Sequence, residues 1–405
     1  MTTAGSKARR YRLAPYWSFI AALLLLTAVL YIYHLVTGVT PDRVALRIEA
    51  LGFDVFWYGI WIVGGIALGS WVVASLAEGR AEELFTATVP DRIRRIPLAS
   101  LSPPAALVPQ LEKSRVSTLG KLLFLWGLNP QNLNLKKAER EELGAWLARQ
   151  PPVKAQWVHD APWRIWSPDH VWNGIIWCLI FAIIGARLYH VLTPSPSMAA
   201  VGIESPLDYF RNPFELVNIR SGGLGIYGGI AGGAVGLWIY ARRQRIPVLS
   251  WADLAVVGLA LGQVFGRWGN FFNQELYGRP TTLPWAVYID PAHRLPQYAD
   301  VGFFHPAFLY ESLWSLMTFF VLYALVTRYR RQMLTGEVMA LYLIFYAIGR
   351  TLLELVRLDS RTLTIAGVDT NLAIATAVSL LVALVMAGWI LYRRWRRGGG
   401  IPRTV

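Results

Sequence analysis

Long apolar runs separated by short polar stretches dominate the chain. A helix needs ~20 apolar residues to cross a bilayer. Runs of that order lie at 16–37, 55–77, 169–192, 222–241, 250–271, 306–327, 337–357 and 371–392. They predict eight transmembrane helices, in an all-α polytopic membrane bundle with small elements outside the bilayer. Basic clusters fall on alternate ends. Lys7, Arg9, Arg10 and Arg12 precede the first run. Arg242, Arg243 and Arg245 follow the fourth, Arg328, Arg330 and Arg331 the sixth, and Arg393, Arg394, Arg396 and Arg397 the eighth. Eight spans put all four clusters on one side, and the positive-inside rule makes that side cytoplasmic, with both termini on it. The outer stretches 194–220 and 358–370 are more balanced in charge. The first run is long for a signal peptide and lacks a clean small-residue exit, so a retained helix is expected.

Residues 78–166 break the pattern. They are basic, proline-containing and mixed. Thr118–Leu128 is too short to cross. Lys136–Arg149 reads as an amphipathic helix with Leu143, Trp146 and Leu147 on its apolar side. Trp157, Trp163 and Trp166 are expected as an interfacial aromatic belt leading into the third span. The expected organisation is therefore an extra N-terminal helix and outer linker over 1–52, then a membrane helix over 53–77. A cytoplasmic insertion over 78–166, partly on the membrane surface, comes next. The main bundle occupies 167–397 and a cytoplasmic tail 398–405.

Composition supports the membrane reading. Hydrophobic residues are 55% of the 405 and charged residues 16%, against roughly 25% charged in soluble proteins. That excludes a string of soluble domains. The net charge of +14 would suggest nucleic acid in a soluble protein, but the cations sit at the ends of apolar runs. They face anionic lipid headgroups, and no nucleic-acid partner is expected. The single cysteine, Cys178, lies inside a span and can form no intrachain disulfide.

Ionisable and amide side chains inside spans are costly and mark candidate function. The first group is Gly262-Gln-Val-Phe-Gly-Arg-Trp-Gly-Asn-Phe-Phe-Asn-Gln-Glu-Leu-Tyr-Gly278. Gly262, Gly266 and Gly269 allow close helix approach. Arg267 and Asn270 share a helix face, with Asn273 and Glu275 at the outer end. An arginine, two asparagines and a glutamate can hold a phosphate and a polar headgroup. The alternative is an arginine snorkelling to the interface beside capping asparagines. The second group is the stripe Tyr346, Arg350, Glu354 and Arg357. It reads equally as an ion-pair ladder or as a guanidinium held ready for a phosphate. The third is the glycine-rich stretch 222–233. Its seams at 225, 229 and 233 and at 228, 232 and 236 suit tight packing, with close approach to a ligand as the alternative at Gly228 and Gly229. His305-Pro306 opens the sixth span, followed by Tyr310 and Glu311, and Tyr58-Gly59 opens the second. His305 is either a helix-end residue or a proton acceptor. No metal-ligand cluster, serine-hydrolase elbow or phosphate-binding GKS/GKT loop occurs, so no metal and no cofactor are expected.

The segment Gly266-Arg-Trp-Gly-Asn-Phe-Phe-Asn-Gln-Glu-Leu-Tyr-Gly278 closely resembles the signature of the bacterial prolipoprotein diacylglyceryl transferases. Tyr58-Gly59, Gly185-Ala-Arg-Leu188, the paired glycines of 222–229, His305-Pro…Leu-Tyr-Glu311 and Arg350…Glu354…Arg357 follow in the family's order. The resemblance covers roughly 53–77 and 169–392. It implies a multi-pass protein of the bacterial plasma (inner) membrane. Such an enzyme moves the diacylglyceryl group of phosphatidylglycerol to the lipobox cysteine thiol of a preprolipoprotein, releasing glycerol 1-phosphate. By resemblance, Arg267 and Arg350 clamp the phosphate. Asn270, Asn273 and Glu275 orient the headgroup and hold the arginines. Tyr58 and Gly278 line the site, and Glu354 and Arg357 support Arg350. Where many family members carry His-Gly-Gly, this chain has Tyr227-Gly228-Gly229. A tyrosine, with a pKa near 10, is a poor base, which leaves His305 or the field of the arginines to deal with the thiol proton. The other reading is a non-catalytic lipid-binding or transport protein with a cationic cavity.

Overall fold

A computed structural model describes residues 14–51, 53–194, 202–203, 205–211, 213–214, 225–358, 362–365 and 368–397. The described chain is mostly helix with three two-stranded antiparallel hairpins. Among the described residues, six helices are long and apolar enough to cross a membrane: Tyr16–Thr37, Trp57–Thr88, Asp169–Leu192, Val248–Asn273, Ala307–Thr327 and Thr376–Arg396. The other two expected spans coincide with helices at Ile226–Gln244 and Glu337–Glu354. The first is glycine-rich and ends in Arg242 and Arg243. The second carries Glu337, Arg350 and Glu354. Both are therefore less apolar than the six.

The chain divides into two compact units, residues 1–72 with 252–405, and residues 73–251. In the first, helix α1 (Tyr16–Thr37) ends at Gly38, whose φ of 71° closes the helix with its N–H on the His34 carbonyl. Strands β1 (Val44–Ile48) and β2 (Phe53–Phe56) pair antiparallel, with Arg47 opposite Asp54. Those two form an ion pair at 3.1 Å. Helix α2 (Trp57–Thr88) follows at once. Its Gly65 and Gly69 lie against Gly262 and Gly258, so that a Cβ at Gly69 would sit 2.3 Å from the Gly258 carbonyl. The small residues let two backbones touch, as in other membrane helix pairs.

Helix α2 continues to Thr88, well past the end of its apolar run at 77. Ala77, Ala81, Phe85 and Val89 form a buried stripe along the extension. The polar residues between them end the hydropathy signal without ending the helix.

In the second unit, residues 89–166 build a small core. Helix α3 (Leu119–Leu128) buries Leu119, Leu122 and Leu123. Helix α4 (Lys137–Arg149) buries Leu143 and Leu147 completely. Its apolar side is covered by protein. The three tryptophans expected at a membrane interface are also inside, with Trp157, Trp163 and Trp166 at 1%, 0% and 6% exposure. The Trp163 indole donates to the Phe124 carbonyl at 3.2 Å, and its ring meets Phe85 edge-on. Buried indoles with satisfied N–H groups are core residues, so the aromatic-belt expectation is corrected.

The same unit holds helix α5 (Asp169–Leu192) and helix α6 (Ile226–Gln244). They pack along the expected glycine seam. A Cβ at Gly228 would meet the Gly185 carbonyl at 2.1 Å, and one at Gly232 the Phe181 carbonyl at 2.1 Å.

The first unit resumes with helix α7 (Val248–Gly266) and short helix α8 (Trp268–Asn273). A segment between helices follows with strands β3 (Val287–Tyr288) and β4 (Phe303–Phe304). Then come helices α9 (Ala307–Thr327) and α10 (Glu337–Glu354). A hairpin of β5 (Thr362–Ile365) and β6 (Val368–Ala373) leads into helix α11 (Ile374–Arg396). The last expected span thus begins as strand. Buried Asp253 of α7 accepts the Gly336 and Met339 amides at 2.6 and 2.9 Å, capping α10 from another helix. Glu337, fully buried, takes two hydrogen bonds from Arg394 at 2.8 Å each.

Candidate active site

The signature segment turns sharply where α8 ends. Gln274 and Leu276 adopt left-handed φ values of 50° and 53°, a conformation that non-glycine residues keep only when their surroundings enforce it. The enforcement is visible. Gln274 donates to Asp290 Oδ2 at 2.6 Å and accepts the Asp290 amide at 2.7 Å. The turn presents Asn270, Asn273 and Glu275 together. Both asparagine side chains donate to Glu275 Oε1, at 2.9 and 3.2 Å. The three hold one another.

Arg267, just before α8, pairs through Nε with Glu311 Oε2. Arg357 reaches the other oxygen of Glu311 at 3.7 Å. Glu311 thus joins two arginines from distant parts of the chain. On the α10 stripe, Arg350 Nη1 lies 2.5 Å from Glu354 Oε2. The two form a close ion pair, and among the described residues neither Arg350 Nη1 nor the Glu354 oxygens have a further hydrogen-bond partner. Tyr342 lies on the same helix, with its ring 6.3 Å from Tyr346. It lies beside Gln263 and within the field of Arg267, which places α10 next to the arginine end of α7.

His305 Nδ1 lies 3.1 Å from the Tyr310 hydroxyl, which also receives the Trp285 indole N–H at 3.0 Å. Gly278 does not line open space. Its amide donates to the His305 carbonyl at 2.8 Å, and an added Cβ would meet the Val356 carbonyl at 2.7 Å and His305 Cβ at 2.8 Å. It is a close-packing residue that joins the signature turn to the segments around 305 and 356.

A cavity of about 1290 Å³ opens beside the turn. Tyr58, Asn273 and Glu275 form part of its wall, with Ile60, Val63 and Leu295 among its apolar lining. Arg43 and Asp54, beside and on the β1–β2 hairpin, also line it. Arg267 and Arg350 are not among its lining residues. Tyr227, Gly228 and Gly229 belong to the second unit. Tyr227 is 68% exposed, with its ring 5.9 Å from Tyr189. Gly228 is filled by helix packing, and Gly229 makes ordinary contact with Ala186.

Sequence reasoning missed Gln274, Asp290 and Trp285. Left-handed φ at a glutamine carries no sequence signal, and the Asp290 and Trp285 contacts join loops far apart in the chain.

The family described as prolipoprotein diacylglyceryl transferase matches residues 144–392. The matched range holds every predicted site residue except Tyr58. Over 249 residues the chain is 38% identical to the phosphatidylglycerol–prolipoprotein diacylglyceryl transferase of Chloroflexus aggregans, covering 58% of this chain and 78% of that protein. It is 40% identical over 227 residues to the same-named protein of Fervidobacterium nodosum, covering 56% and 71%. Against that of Frankia alni it is 45% identical over 215 residues, covering 52% and 53%. The turn of Asn270, Asn273 and Glu275, the arginine pairs and the His305–Tyr310 contact all lie within the matched residues, and the chain belongs to the prolipoprotein diacylglyceryl transferase family.

Proposed function

We propose that the protein transfers the sn-1,2-diacylglyceryl group of phosphatidylglycerol to the lipobox cysteine thiol of preprolipoproteins. The products are a thioether and glycerol 1-phosphate, in the first step of bacterial lipoprotein maturation. The observation that carries this reading is the set Arg267, Arg350 and Arg357, each held by a carboxylate within the residues the family matches. Guanidinium forks match phosphate oxygens in geometry and charge. Arg267, Arg350 and Arg357 then stabilise the negative charge that grows on the leaving phosphate. The sulfur nucleophile belongs to the substrate, so the chain needs none of its own. The mostly apolar cavity suits the hydrocarbon of the lipid, and Asn273 and Glu275 suit its glycerol hydroxyls.

The family and the charge pattern support a bacterial inner-membrane location, eight spans, and both termini in the cytoplasm. Residues 78–166 are an insertion outside the chemistry. Membranes containing the protein should convert a lipobox peptide to a thioether-lipidated product when phosphatidylglycerol is present, with stoichiometric glycerol phosphate. Binding of phosphatidylglycerol with no conversion would favour the non-catalytic lipid-binding alternative.

A further inference from the structure

Helix α1 lies outside the residues the family matches, yet it reaches toward the site. Tyr31 and His34, 7% and 1% exposed, face the bundle. The Tyr31 hydroxyl donates to the Trp285 carbonyl at 2.7 Å. Its ring meets Trp268, Phe271 and Phe308 edge-on. About one turn further along, His34 Nε2 accepts the Tyr288 amide at 3.0 Å. The added helix therefore holds both ends of segment 285–288.

That segment carries the next link. An indole N–H can only donate, so Tyr310 is the acceptor in the Trp285–Tyr310 bond at 3.0 Å. The phenol keeps its own proton to give, and His305 Nδ1 is 3.1 Å away. Tyr310 has two acceptor positions, so Nδ1 can donate to it or accept from it; the arrangement in which the phenol donates to Nδ1 leaves the imidazole proton on Nε2.

We propose that Tyr31 and Trp285 are positioning residues that hold His305 in the Nε2–H form, as a hydrogen-bond donor to the lipid phosphate. The proposal rests on the transfer reaction given above. In that reaction the thiol sulfur bonds to the glyceryl carbon. The carbon–oxygen bond breaks, and its electron pair stays on the phosphate oxygen. The thiol proton passes to water, with the thiolate favoured by the arginine field. His305 keeps its proton and supplies a fixed dipole where negative charge develops. This role differs from the proton acceptor suggested by sequence. It also gives α1 a purpose beyond anchoring.

The test uses the full chain in membranes, with phosphatidylglycerol vesicles and a lipobox peptide, and follows kcat and the KM for lipid. Trp285→Phe and Tyr31→Phe each remove one donor and keep the ring. Each should lower kcat by about 10-fold or less, below the loss of a complete oxyanion donor, with KM for lipid little changed. In a His305→Ala background the same two changes should have no further effect, because residues acting through one group are not additive. His305→Gln, which keeps an N–H donor, should retain clearly more activity than His305→Ala. Equal losses in the wild-type and His305→Ala backgrounds would overturn the proposal and leave Tyr31 and Trp285 as packing residues. So would unchanged kcat in both single variants, or His305→Gln as inactive as His305→Ala. Full activity in His305→Ala would sink the proposal while leaving the transfer reaction intact. A wild-type protein that lipidates nothing would instead remove the transferase reading itself.

Discussion

Arg267 is held through its Nε by the carboxylate of Glu311, a residue of α9. A side chain that merely reached toward the interface would not need a partly buried carboxylate to fix one edge of its fork. With Nε engaged, the terminal nitrogens are aimed by the pair.

This geometry makes Arg267→Lys a sharp test. Lysine keeps the charge but loses the second and third donors of the fork. Transfer activity should fall by about 100-fold or more, the range for losing a preoriented charge-stabilising donor, while the protein still inserts and accumulates. Near-normal turnover in membranes would return Arg267 to a snorkelling role.

Gly278→Ala should damage the site through the backbone. The new methyl would press on the Val356 carbonyl and His305 Cβ. Overpacking of this kind costs typically ~1–3 kcal/mol. Thermal unfolding in detergent should shift downward, and activity should fall with it. An unshifted melting curve would mean that the segments around 278 and 356 part easily.

Asp253→Ala should destabilise the protein without entering the chemistry. It strips two backbone amides at the start of α10 of their acceptor, at about 1–3 kcal/mol for buried groups left unmade. The expected result is a lower melting temperature with near-normal transfer at low temperature. Loss of transfer in a protein that melts normally would point to a functional role for the carboxylate.

Replacing 90–160 by a short flexible linker should leave transfer in membranes largely intact. The segment packs around its own leucines and tryptophans, and its residues 90–143 precede the family match, while 144–160 fall at that match's edge. The replacement uncovers Phe85, so a second variant with Phe85→Ser guards against aggregation. A stably inserted but inactive deletion would mean that the insertion contributes to catalysis.

Tyr227→Phe should retain most activity, because the ring stays against Tyr189 and a phenol is a poor base near neutral pH. An inactive Tyr227→Phe would make the hydroxyl itself part of the chemistry.

Six of the expected spans were legible because a bilayer imposes length and hydropathy directly on sequence. The end of α2 was not. There, Glu78, Arg80, Glu82 and Glu83 interrupt the apolar run while Ala81 and Phe85 continue the buried stripe. Trp157, Trp163 and Trp166 show a different limit. A tryptophan suits an interface and a core equally well by composition, and only its neighbours decide. At the site, the signature located Arg267, Asn270, Asn273 and Glu275, but their partners are tertiary. Glu311 lies far along the chain from Arg267, and nothing local in the sequence pairs them. The same holds for Tyr31 and Trp285.

The site's carboxylates have one more consequence. Arg267, Arg350 and Arg357 carry three positive charges, and Glu275, Glu311 and Glu354 carry three negative ones. Before substrate arrives these six residues sum to zero, which suits charges held in a low-dielectric setting. Phosphatidylglycerol brings a single negative charge. Glycerol phosphate, once cut free, carries up to two. The departing fragment is therefore both drawn to the arginines and repelled by the glutamates more strongly than the lipid that brought it. On the proposed reaction its exit returns each arginine to the carboxylate that held it, so the resting ion pairs compete with the product for the same cations.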